Sequence, residues 1–352
     1  MIAGCSVAGP ADPAPATPRT DGAAPSAPAR TPDGTLLIAD FGSDTVTFVD
    51  PRTGPFDSVK VGTAPYGLVV GADGRAWVAT AEGVAVVDTA SRESLGRIPY
   101  VTRTGPVTTG EYRGGGMGIA LAPDGTRVYV GVNVPGANGT LEVLDTATRT
   151  VTDTVPVGRR PFDVDVARDG GEVYATGHDS YDVTAVRADT LTPRRLEVAP
   201  YGTEGGLGSW LKPHYAVVRA DGKLLLPFEG EKLAVLDPSD GGVDVEPMTA
   251  DTHQHGVALT PDGTLLVVGT GPVDGSGEGP SLTIRGPGGQ ERVVPLDGPH
   301  EDVAVSEDGG TAYVGGGFTR EGSWDGVTVV DLDSGGTRRL PAGVRPLGIA
   351  VL

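Results

Sequence analysis

One phrase recurs along this chain at nearly even intervals: a short apolar run followed, a few residues on, by Asp-Gly. The turn aspartates are Asp73, Asp124, Asp169, Asp221, Asp262 and Asp308, and the runs before them read LVV, IAL, VDV, AVV, VAL and VAV. Successive turns lie about 40 to 52 residues apart, the span of one four-stranded propeller blade. After each turn comes a second strand, such as Arg127–Val130 or Thr311–Val314, and the third often ends on an aspartate, as at Asp88, Asp145, Asp237 and Asp331. Asp-Gly suits such a turn because glycine accepts positive φ without steric penalty.

The two ends complement each other. Arg345–Leu352 (RPLGIAVL) is an entrance strand with no turn after it, and Pro32-Asp33-Gly34 is a turn with no entrance strand before it. Joined, they complete a blade, giving seven entrance strands and seven turns. The expected fold is therefore all-β, a seven-bladed β-propeller over residues 32–352 closed by exchange of N- and C-terminal strands, which removes exposed sheet edges. A β-sandwich does not explain complementary ends. Glycine contributes 56 of 352 residues, as a fold built mostly from turns requires.

The phrases Arg160–Gly170 (RPFDVDVARDG) and Arg127–Gly131 (RVYVG) resemble those of the YVTN-type, YncE-like, seven-bladed propeller family, and the likeness covers nearly all of residues 32–352. It implies the fold and leaves the activity open, because the family mixes binding, surface and cofactor-related proteins and a fold alone supplies no chemistry.

Residues 1–31 belong to another regime. Ile2-Ala3-Gly4-Cys5 resembles a bacterial lipobox, in which the cysteine is lipidated, although only four residues precede it. From Ser6 the chain is rich in Ala, Pro, Ser and Thr without hydrophobic periodicity, as a solvated tether would be. The expectation is an extracytoplasmic lipoprotein held to a membrane only through Cys5. Cys5 is the single cysteine, so an internal disulfide is excluded. A formal charge of −19 argues against nucleic-acid partners, since phosphate affinity needs a basic surface. No run of about 20 apolar residues occurs.

The repeat also locates candidate chemistry. Seven positions before each turn aspartate stand Tyr66, Met117, Phe162, His214, His255 and Glu301, with Leu347 in the closing strand. Four blades place an apolar or aromatic residue there; the fifth, sixth and seventh place His, His and Glu. His253 lies two residues before His255, His300 directly precedes Glu301, and His178 falls in a loop on the same face of the fourth blade. All five histidines map to one face. Imidazoles and carboxylates converging on one axis can ligate zinc or copper, so His178, His214, His253, His255, His300 and Glu301 are the candidate metal ligands. His214 and His255 are also the candidate catalytic bases. The plainer reading is that these residues line a wet channel mouth.

That face carries the longest insertions as well, and long loops on a rigid scaffold are where binding sites are built. Tyr112, Arg113, Trp210, Lys212 and Trp324 are the candidate ligand-binding residues, whereas Trp77 sits mid-strand and reads as core. No nucleophile elbow, phosphate loop or haem-attachment motif is present.

The expected function is binding of a metal ion or small ligand at the histidine-bearing mouth by a monomeric, lipid-anchored propeller. The alternatives are a metal-assisted lyase or hydrolase using His214 or His255, resembling in outline the antibiotic-ring-opening lyases built on similar propellers, and a scaffold for another extracytoplasmic protein.

Overall fold

Six Asp-Gly turns join the first and second strands of a four-stranded antiparallel sheet, the turn at Gly34 leads into the second strand of another, and all seven glycines, Gly34 to Gly309, adopt φ between 72° and 87°. The computed structural model describes residues 31–110, 112–199, 212–228, 230–252, 256–269, 279–319 and 322–352. Within the turns the aspartate acts as well as the glycine. In six of them its Oδ1 accepts the backbone N–H two residues on, at 2.9 to 3.3 Å. A short acceptor that ties down its own loop explains why Asp, rather than any polar residue, recurs here.

The sheets are seven blades, each running from an inner to an outer strand. The second blade is Leu68–Val70, Arg75–Ala79, Gly83–Asp88 and Glu93–Pro99. The fourth begins with Pro161–Val166, the fifth with Val217–Val218, the sixth with Val257–Leu259 and the seventh with Val303–Val305. Seven apolar clusters fill the seven interfaces between successive blades. Middle strands are consequently buried on both faces, as in Leu36–Asp40, where all five residues are covered. Outer strands such as Thr150–Pro156 stay largely exposed. Trp77 is core, packed between the second and third blades.

The first blade closes the ring as the chain ends suggest. Its outer three strands are Gly54–Lys60, Thr45–Asp50 and Leu36–Asp40, and its inner strand is Pro346–Val351. Leu36 pairs with Val351 and Ile38 with Ile349. Flanking backbone bonds extend the seam in both directions, Gly34 N–H to the Leu352 carbonyl (2.7 Å) and Phe41 N–H to the Arg345 carbonyl (3.0 Å). No helix among the described residues is long and apolar enough to cross a membrane. Cys5 and the proposed tether up to residue 30 lie outside the described residues, whereas Thr31, its last residue, is buried, its hydroxyl donating to the Thr89 carbonyl (2.6 Å).

Asp40 sits at the mouthward end of that seam, fully buried, with its Oδ2 accepting the hydroxyls of Thr47 (2.5 Å) and Thr45 (3.1 Å). Burial pushes its carboxyl up to about 7, more than the two hydroxyls pull it down. A folded-state value above the unfolded one means the native protein holds a proton that the unfolded chain has released. The stability this confers is complete below about pH 4 and is lost as pH rises through about 7. Urea denaturation of wild type and Asp40→Asn across this window should show wild type losing ground to the variant by up to about 1.4 kcal/mol per pH unit. Parallel pH profiles would refute the assignment.

Candidate functional site

On the first four blades the ring of residues seven before each turn aspartate is not an open, wet mouth. Tyr66, Met117, Phe162 and Leu347 gather with Phe41 and Ala64 into a buried cluster that plugs the axis on the first four blades. Two features put them there. Register shifts between Gly116 and Ile119 and between Pro161 and Asp163 take Met117 and Phe162 out of the regular pleat. The next position in three of these blades is glycine, and the inner strands then touch. A Cβ on Gly118 would lie 2.5 Å from the Asp163 backbone, and one on Gly348 would lie 2.4 Å from the Tyr66 carbonyl. Close approach, not turn geometry, demands those glycines.

Arg113 fastens the plug. Its side chain is 2 % exposed, and it donates Nε and Nη2 to the Ala64 carbonyl (3.0 and 2.5 Å) and Nη1 to that of Gly114 (3.1 Å). It also lies over the rings of Phe41 and Tyr66. Desolvation lowers its pKa to about 10. Arg113, expected to meet ligand, is instead a structural bolt holding the 101–116 insertion onto the mouth. Tyr112 remains half-buried beside the plug, its ring 5.9 Å from that of Phe162 and capped by the Arg160 guanidinium at 3.8 Å.

Against this apolar floor the polar groups assemble from the fourth, fifth and seventh blades. His178 opens a short 3-10 turn, His178–Ser180, after the strand Glu172–Gly177. Its ring lies 5.1 Å from Phe162 and 5.3 Å from His214, and the His214 ring lies 4.0 Å from Phe162. The two imidazoles are 2 % and 3 % exposed. His178 Nδ1 is 2.8 Å from Asp179 Oδ1, and Arg160 holds the same carboxylate at 3.1 Å. Burial acts to raise Asp179, but the His178 bond and the nearby positive charges outweigh it and keep the group below the usual carboxylate range. An ionised Asp179 only accepts, so Nδ1 carries the proton and Nε2 is the basic nitrogen of His178.

Tyr215 extends the constellation across the axis. Its ring stacks on His214 at 4.5 Å, and its hydroxyl donates to Glu301 Oε1 at 3.0 Å. Burial drives the phenol well above its ordinary pKa, so it stays a donor. The fifth and seventh blades are thereby joined over the channel.

The remaining candidates go elsewhere. Both ring nitrogens of His300 are engaged inside the seventh blade, Nδ1–H donating to the Gly298 carbonyl (2.6 Å) and Nε2 accepting from Thr328 (2.7 Å). Trp324 packs edge-on against His300 and under Arg339, a local arrangement of the same blade. Lys212 is half-buried just before His214. His253, His255 and Trp210 lie outside the described residues. Among the described residues, no three His, Cys, Asp or Glu side chains are grouped to hold a metal ion.

No family model matches the chain, and no curated protein matches it. Solved structures do. The periplasmic gluconolactonase of Pseudomonas aeruginosa is similar at a TM-score of 0.63 with 18 % identity, over 91 % of this chain and 99 % of that one. A catalytically inactive virginiamycin B lyase variant from Staphylococcus aureus, solved with quinupristin, is similar at 0.61 with 13 % identity, over 90 % and 92 %. A Kuenenia stuttgartiensis hydrazine synthase chain is similar at 0.63 with 18 % identity, over 81 % and 88 %. At such identities the likeness establishes the propeller fold.

Phe162 touches the plug and both imidazoles, so truncation should damage stability and site together. Phe162→Ala is expected to lose about 3–5 kcal/mol by chemical denaturation. A loss under about 1 kcal/mol would mean that the plug collapses around the void or was never tightly packed.

Proposed function

We propose that the chain binds a small organic ligand at the plugged face of the propeller, over Phe162 and Tyr112, with His178 and His214 as its polar anchors. One observation carries the reading: two nearly buried imidazoles, 5.3 Å apart on one aromatic ring, with Asp179 fixing the tautomer of the first. An apolar floor with a few placed polar groups is the usual make-up of a small-molecule site. The proposal includes the finer features expected from sequence: membership of the YVTN-type propellers, an extracytoplasmic setting, and lipid attachment at Cys5. It also includes recruitment of zinc or copper by His214 with His253 and His255. Mass spectrometry of native protein tests the lipid, and an unmodified Cys5 would remove the anchor.

The Asp179–His178 hydrogen bond favours a second reading, an enzyme that opens a ring by proton transfer. In it His178 Nε2 is the general base and Asp179 stabilises the imidazolium formed. Similar propellers bearing the names gluconolactonase and virginiamycin B lyase lend support.

A thermal-shift and turnover screen of lactones and sugar acids, with and without added zinc, tests both readings on wild type, His178→Ala and His214→Ala. Saturable stabilisation lost in both variants is the result expected for the binder. Turnover that falls roughly 10²-fold or more in Asp179→Asn, with ligand stabilisation kept, establishes the enzyme. Identical profiles for all proteins, whatever the compound, would sink both.

A further inference from the structure

Between the third and fourth blades lies a crevice of about 700 Å³, built on the outer two strands of the fourth. One wall is apolar, Pro156 and Val157 at the end of the third blade's outer strand. The other is Asp182 and Thr184 on the strand Asp182–Arg187, with Pro193 and Arg195 on the strand Pro193–Glu197. Thr184 pairs with Arg195, so strand alternation puts all four side chains on one face of the blade.

The equivalent place one blade earlier is filled by the chain itself. Thr140 and Glu142 stand there as Asp182 and Thr184 stand here, because the ladder partners Val132 and Gly177 each lie eight residues after a turn aspartate. The 101–116 insertion folds onto that pair, Thr102 N–H donating to Glu142 Oε1 (2.7 Å) and its hydroxyl meeting that of Thr140 (2.7 Å). The connection into the fourth blade is only Gly158-Arg159-Arg160 between Val157 and Pro161. It reaches Thr184 through the Gly158 N–H (3.2 Å) and leaves the volume outside open.

The charges in the crevice do not balance. Asp182 is 2 % exposed, with Oδ1 accepting the Ser180 hydroxyl (2.7 Å) and Oδ2 accepting Arg195 Nε. Arg195 is fixed by a second bond, from Nη2 to the Ser180 carbonyl (2.9 Å). Asp179, which also borders the crevice, is held by His178 and Arg160. Each carboxylate is therefore already matched by a guanidinium. Arg159 is left over. Its N–H donates to Ser180 Oγ (2.8 Å), but its half-buried guanidinium has no hydrogen-bond or ion-pair partner among the described residues. In a chain of formal charge −19, this crevice holds a local surplus of positive charge and a fork of unused donors.

We propose that the crevice binds a small organic carboxylate, held by the guanidiniums of Arg159 and Arg195 with its apolar body against Pro156, Val157 and Pro193. Guanidinium–carboxylate bonds are charge-assisted and directional, and the fork matches two carboxylate oxygens. The exposed amide of Asn138, on the same crevice, adds a further donor. The site stands whether or not the reading over Phe162 holds. The two share Asp179 alone, whose oxygens are taken by His178 and Arg160.

The probe is butyrate, with butyramide as its uncharged counterpart and inorganic phosphate as a second anion, at about pH 7.5, where a carboxylate is ionised. Calorimetry and thermal melts on the full chain should show saturable binding and a raised Tm for butyrate alone. Arg159→Gln should weaken butyrate about tenfold or more. Without ligand it should melt as wild type does, because the guanidinium removed bonds nothing in the free protein. Asn138→Trp, at an exposed position apart from the Phe162 site, should fill the crevice and lose binding with both arginines intact. An equal response to butyramide would overturn the proposal, as would unchanged butyrate binding in either variant. Phosphate binding in place of butyrate would also overturn it, and would reassign the crevice to phosphate.

Discussion

A strand edge left without hydrogen bonds is the constraint on which this molecule turns. Every blade ends outward on a short, solvated strand, and inward each is covered by its neighbours around the axis. The first blade alone takes its inner strand from the far end of the chain. The Leu36–Val351 and Ile38–Ile349 pairings hold it there. They also bring together the two apolar interfaces flanking the first blade, one built on Leu37 and Phe48 and the other on Leu36 and Tyr313. Without the exchange, the seventh and second blades would face water on opposite sides of a gap, and the axis would have no fixed diameter. The plug and everything resting on it depend on that diameter.

The fold was legible because its determinants are local and repeated. An aspartate that accepts from the backbone two residues on, followed by a glycine at positive φ, is written in two adjacent letters. Seven copies of that signal leave little freedom. The complementary ends were legible for the same reason, since half a motif at each terminus has one simple completion. Trp77 followed from its place in an apolar strand.

The site was legible only in part. Counting back from the turns put His214 and Glu301 at the axis and His178 on the same face, but could not show that bulges turn Met117 and Phe162 into a plug. That outcome depends on glycines whose purpose is contact between blades, and nothing in a single repeat distinguishes a contact glycine from a turn glycine. Arg113 reads as an exposed loop arginine until the Ala64 carbonyl is seen to receive two of its donors. His300 looks equivalent to its neighbours until Gly298 and Thr328 take up both its nitrogens. Asp179 and Tyr215, each beside a histidine already singled out, were within reach; adjacency to an imidazole was the signal.

The seam has a further consequence, in time rather than in space. Leu36 and its partner Val351 are separated by almost the whole chain, so during synthesis the first blade waits with an open edge until the last strand has left the ribosome. Closing a loop of that length is slow, and the waiting edge is a template for pairing with other chains. Blades two to seven can form as they emerge, each against the one before. The ring therefore closes only once Pro346–Val351 has emerged, and until then the open edge of the first blade is exposed.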